Sequence, residues 1–154
     1  MSTITEDAAP AANPRKVDRL LAHYALSHQN PRNEAIHYVA IPLILLSLLG
    51  LLYAAHPWAA YIFAGASMVY YATLSLPFLA AMAAVSAVAL MLVHAMGNMV
   101  LPLSAAIFVA AWIAQFIGHR IEGKKPSFLE DLQYLWVGPL FVLARLFSKL
   151  GLRW

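Results

Sequence analysis

The chain has 154 residues, 62% of them hydrophobic and only 11% charged, with a mean hydropathy of +0.71; about a quarter of a soluble chain is charged, so this is not the composition of a soluble domain. The absence of cysteine removes disulfide frameworks, thiolate metal sites, thiolate-ligated haem and cysteine nucleophiles together. A net charge of +3, without a run of Lys and Arg interleaved with aromatics, gives a nucleic-acid partner no electrostatic footprint.

Residues 1–19 are polar, rich in Ala and Pro, and lack an apolar core of signal-peptide type, so they read as a mobile tail ahead of one membrane-embedded helical domain, 20–154. A short interfacial helix follows and is broken at Asn30-Pro31, after which Asn33 is placed to cap the next helix, with Glu34 at its positive end. Every Asp, Glu, Lys and Arg lies in 1–34 or 120–154. The uncharged stretch between is long enough for four spans of about 20 residues.

The breakers divide that stretch. The first span is predicted from Ile36 to Ala55 and closed by His56-Pro57; the second runs from Trp58 to Leu76 and is closed by Pro77. The third runs from Phe78 to Ala95, ahead of a Gly97-Asn98 turn, and the fourth from Met99 to Gly118. Pro42 and Pro102 fall in the first turns of their spans, where a missing N–H matters least. Four spans put both termini on one side. All ten Lys and Arg belong to the terminal segments, which makes that side cytoplasmic, in a bacterial inner membrane or the endoplasmic reticulum.

Beyond Gly118, Ser127-Phe128-Leu129-Glu130 has the pattern of a capping box, and the uncharged run Leu132–Ala144 is too short to span comfortably. A helix kinked at Gly138-Pro139 and lying in the interface is the expectation, with a fifth span reaching Leu152 as the alternative. The fold class is therefore all-α: an integral membrane bundle of four transmembrane helices, with an interfacial helix before it and a kinked one after.

Chemistry in such a chain has to come from the polar groups it tolerates near hydrocarbon, and its six histidines stand out. His28 and His37 flank the cytoplasmic start of the first span, and His119 ends the fourth on the same face. His56 lies about 28 Å from His37 along its helix, and His94 about 24 Å from the cytoplasmic entrance, so packing roles suit both. His28 and His37 would oppose one another on an unbroken helix, and the turn at Pro31 lets them fold together. Gln115, His119 and Glu122 share one face, so that Gln115 can orient the imidazole while Glu122 accepts its second N–H or binds metal itself. Neutral imidazoles with a nearby carboxylate suit Fe(II) or Zn(II).

In these two segments the chain resembles the integral-membrane iron(II)-dependent dioxygenases that carry out α-oxidation of 2-hydroxy fatty acids. The first motif, Y-x-x-x-H-x-x-P-x-N-x-x-x-H-x-x-x-x-P, is matched by Tyr24, His28, Pro31, Asn33, His37 and Pro42. The second, W-x-x-Q-F-x-G-H followed by an acid and a proline, is matched by Trp112, Gln115, Phe116, Gly118, His119, Glu122 and Pro126. The resemblance implies that a 2-hydroxy fatty acid and O2 give a fatty acid one carbon shorter and CO2, on Fe(II) held by His28, His37 and His119. In eukaryotic members of that family the reaction serves the breakdown of hydroxylated sphingoid bases.

Around those ligands, His23 is a candidate fourth, and Tyr24, Asn33, Gln115, Glu122, Arg120 and Lys124 are candidates to support the ligands or contact the substrate, as are Arg32 and Lys125. The acyl chain would lie among the spans, within membrane lipid; composition does not specify an oligomeric state. A bis-histidine haem protein using His37 and His119, or a non-catalytic subunit of a membrane complex, are the alternatives.

Overall fold

The computed structural model describes residues 14–123 and 134–154. Among these residues the chain forms helices and no strand: α1 (Lys16–Ala25), α2 (Pro31–Ala55), α3 (Pro57–Ala72), α4 (Leu76–Ala95), α5 (Val100–Glu122) and α6 (Val137–Lys149), with a single 3-10 turn, Gly97–Met99, between α4 and α5. Helix α1 opens inside the segment read as a tail, whose first 13 residues lie outside the described ones. Lys124, Lys125, Pro126 and the capping box at Ser127–Glu130 also lie outside them.

Helices α2 to α5 run alternately up and down, as the ends show. At the end away from the paired histidines, Tyr53 Oη and His94 Nδ1 lie 3.1 Å apart and tie the last turn of α2 to the last turn of α4. There too His56 Nδ1 accepts the Trp58 N–H at 3.3 Å and caps α3. At the opposite end, the last turn of α3 meets the start of α6, where Tyr71 Oη donates to the Trp136 carbonyl at 3.2 Å and Trp136 Nε1 to Ser67 Oγ at 2.9 Å. Three stretches, Pro31–Ala55, Leu76–Ala95 and Gly97–Glu122, are long and apolar enough to cross a membrane. Helix α3 is shorter, with 16 residues, about 24 Å.

The helix boundaries differ from the sequence expectations at instructive places. Asn30, not Asn33, caps α2: its side chain accepts the Arg32 N–H at 3.0 Å, and Pro31 takes the first helical position, where no N–H is needed. The helix thus begins earlier than Ile36, and Pro42 falls in its interior rather than its first turn. Pro139 shows the reverse correction. It lies in the first turn of α6, which starts at Val137, so Gly138-Pro139 opens a helix instead of kinking one.

Helix α2 is the hub. On one side it packs on α3, α4 and α6, and on the other on α5 along most of its length. Two glycines set that second distance. A Cβ on Gly50 would collide with Ser104 of α5, and one on Gly118 would collide with Asn33 Oδ1 of α2. Close backbone approach through small residues is how helices pack tightly in lipid, where hydrophobic burial offers no preference for protein over acyl chains. Helices α1 and α6 lie together over the histidine end, through Tyr24, Val137 and Phe141 packed on Ile41. An ion pair at 2.8 Å between Arg145 and Glu34 fastens α6 to the first turn of α2.

Gly50→Leu is therefore expected to destabilise the fold by about 1–3 kcal/mol through overpacking, read as a lower midpoint of thermal unfolding in detergent. Gly65→Leu, at a position with nothing within 4 Å of a built Cβ, is expected to leave the midpoint in place or raise it.

Candidate metal centre

Three elements each deliver one histidine. His28 follows the turn that ends α1, His37 stands in the second turn of α2, and His119 in the last turn of α5. All three are buried, His37 completely, and each offers a nitrogen within 4.8 Å of the others. The ring centroids of His37 lie 4.3 Å from His28 and 5.0 Å from His119. Burying three imidazoles in one cluster is costly unless each has a partner. A shared cation is such a partner, and three neutral nitrogens suit a divalent transition metal.

The ring orientations are set by the backbone. His28 Nδ1 lies 2.9 Å from the Tyr24 carbonyl and His37 Nδ1 2.9 Å from the Asn33 carbonyl, each one turn upstream. A carbonyl only accepts, so each Nδ1 carries the proton and Nε2 is left as the lone-pair nitrogen that ligates a metal. Tyr24 stacks on His28, with centroids 4.1 Å apart and planes within 11°, and Phe141 packs beside that tyrosine, 5.1 Å from its ring and 5.8 Å from His28. The three histidine rings form too compact a group for a porphyrin to pass between His37 and His119, so the donor set fits a bare ion and not haem.

Glu122 supports this cluster through the backbone beside it. Its Oε1 accepts the Gln29 N–H at 2.9 Å, and its Oε2 accepts the Asn30 N–H at 2.9 Å and the Asn33 side-chain amide at 3.0 Å. The expectation that Glu122 would hold His119 or a metal gives way to this arrangement: one carboxylate at the end of α5 clamps the turn that carries His28 and the start of α2 that carries His37. Asn33, expected as a helix cap, is fully buried and bridges Glu122 and the Ser27 carbonyl, the latter at 3.3 Å. Gly118 leaves the space that Asn33 fills, and its own built Cβ would stand 3.4 Å from His37 Cε1.

The remaining candidates separate. Gln115 is buried one turn before His119, and its Oε1 has no hydrogen-bond partner among the described residues. His23 is exposed and not in the cluster; its Nδ1 lies 2.6 Å from Tyr134 Oη. Arg32 and Arg120 are exposed near the same end. The sequence reading missed Phe141 and the Tyr134–Trp136 turn. The signal available was the apolar stripe Val137, Leu140, Phe141, Ala144 at helical spacing.

Glu122→Ala is expected to lower divalent metal affinity about 10- to 100-fold, the usual cost of losing an outer support of a ligand set, measured as metal retained after dialysis. Lys149→Ala, at an exposed position at the end of α6, is expected to retain it.

Comparison with known proteins agrees with this geometry. Residues 15–150 match the family described as 2-hydroxy-palmitic acid dioxygenase Mpo1-like. The chain is 28% identical over 138 residues to the 2-hydroxy-palmitic acid dioxygenase MPO1 of Saccharomyces cerevisiae, an alignment that covers 85% of this chain and 79% of that protein. No solved structure matches the chain. The matched span takes in all three histidines, the turn between α1 and α2, and the carboxylate that clamps it, and on that match the chain belongs to the 2-hydroxy-palmitic acid dioxygenase Mpo1-like family.

Proposed function

We propose that this protein is an Fe(II)-dependent dioxygenase that converts a 2-hydroxy fatty acid and O2 into a fatty acid one carbon shorter, CO2 and water. The observation that carries the reading is the convergence of His28, His37 and His119 at the head of an apolar helical bundle, in a chain of this family. The stoichiometry needs no other reductant: the hydroxy acid gives up four electrons as its C1–C2 bond breaks, and one O2 takes them. Iron held by the three imidazoles would supply Lewis-acid positioning of the substrate's carboxylate and hydroxyl and the redox chemistry with O2.

The chain's own residues supply the rest. The Tyr24 and Asn33 carbonyls hold the protons on Nδ1 of His28 and His37, which keeps both rings in the ligating tautomer. Tyr24 and Phe141 cover the cluster and keep bulk water from it. Glu122 fixes the turn between two ligands, so their separation is set before substrate arrives. Gln115 presents an amide beside the cluster to a hydroxyl or carboxyl group.

In the same reading, α3 crosses the bilayer as the fourth span, α1 and α6 lie in the interface over the site, and termini and site face the cytoplasm. A short span fits by local thinning of the bilayer at modest cost. The substrate then reaches the site from the membrane, with its carboxylate at the basic face where Arg32 and Arg120 lie.

The decisive experiment gives 2-hydroxyhexadecanoate and oxygen to protein loaded anaerobically with Fe(II) and identifies the products by mass spectrometry. A fifteen-carbon acid is expected, absent with chelator and in His37→Ala or His119→Ala. Iron bound without any shortened acid would refute the reading. Because the chain has no cysteine, single cysteines report sidedness. Thr73→Cys and Ser148→Cys are expected to label from one side and Ala55→Cys, at the other end of α3, from the opposite side; Thr73 labelling together with Ala55 would mean that α3 does not cross.

A further inference from the structure

Beneath the histidines, on the flank of α2 that carries Ile41, Ile44 and Leu45, the interior is incompletely filled. One cavity of about 20 Å³ lies among Tyr24, Ile41, Ile44, Trp112 and Gln115. A second, of about 10 Å³, lies deeper, among Leu49, Ala64, Ser67, Met82 and Ser86. Leu45 and Leu135 wall both, so the two stand in line with that leucine pair as a waist between them. From Ile41 to Leu49 the line descends about 12 Å along α2.

Its two ends differ in chemistry. At the top, Gln115 is 95% buried with an Oε1 that accepts no hydrogen bond from the described residues, a costly state that a hydroxyl donor arriving from the histidine side would relieve. At the bottom the walls are apolar or small, with Ala64, Ser67 and Ser86 on α3 and α4. Each cavity now has room only for about a single water. One wall of the waist, however, is the Tyr134–Trp136 turn and not a packed helix.

We infer that this line of cavities is the acyl-chain site, with Gln115 taking the polar end, the chain passing between Leu45 and Leu135, and the floor at Met82 and Ser86 setting the chain length accepted. The assignment rests on the hydroxy-acid reading above. A larger groove, about 440 Å³, opens among Val39, Leu43, Ala110 and Ala114. It is the wrong side of α2: Val39 and Leu43 are each two residues from Ile41 and Leu45, hence about 200° round the helix. The seam between α2 and α5, closed by buried Ala40 and Ala111, stands between that groove and the histidines.

The test locates the chain directly. A 2-hydroxy fatty acid with a diazirine at its methyl end is irradiated with the full-length protein in detergent, and labelled peptides are identified by mass spectrometry. Labelling around Ala64, Met82 and Ser86 is expected; labelling at Val39 or Ala110 would overturn the assignment. The readout does not need turnover, so label in the slot of a protein that shortens no hydroxy acid would sink the activity and keep the site, and active protein labelled in the groove would do the opposite. In active protein, Ser86→Phe is expected to lower the ratio of turnover on 2-hydroxyoctadecanoate to that on 2-hydroxydodecanoate by about tenfold or more, at about fourfold per methylene turned out of the slot. Ala64→Leu serves the same purpose should Ser86→Phe not fold, and Val39→Phe is expected to leave the ratio where it is. An unchanged ratio in folded Ser86 and Ala64 variants would also overturn the assignment.

Discussion

The close approach of α2 and α5 governs this molecule. In lipid two apolar helices gain little from burying one another, and contact has to be won by fit and by polar groups that find each other. Gly50 against Ser104 sets the spacing at one end, and Gly118 against Asn33 sets it at the other. With that spacing fixed, His37 and His119 face each other across the seam, and the last residue of α5 reaches past α2 to grip the preceding turn. The third histidine is placed by that grip and by the stack of Tyr24 upon it.

Much of this was legible in the residues. The blank between Glu34 and Arg120, punctuated by Pro57, Pro77 and Gly97, marks out four helices, because charge and backbone breakers are both local properties of a chain. The helical ends agree to within a few residues over α3, α4 and α5. The three clustered histidines stand near helix ends that the alternating topology returns to one face.

Other features depend on partners distant in sequence, and there local reasoning fell short. Spacing places Glu122 on the face of His119, and by that rule it should serve His119. In the fold it turns to Gln29 and Asn30, which no periodicity within α5 foretells. Asn33 had the residue type of a cap, but Asn30 precedes a proline and so is already in the extended backbone a cap requires. Gly118 read as one letter of a motif; its reason, the volume of the Asn33 side chain, exists only once two helices touch. Phe141 shows the same limit, since what it covers lies on α1 and in the following turn.

The carboxylate clamp has a bearing on how the protein is made. His28 leaves the ribosome ahead of every long helix, while the group that holds its turn sits at the end of α5, after every long apolar helix. A chain halted after α4 would carry two of the histidines and neither the third nor the clamp. The histidine cluster is therefore complete only when the last long helix has docked, and capture of an ion would report that docking. A metal that binds only to the finished bundle also favours that bundle over its partly inserted forms, by mass action.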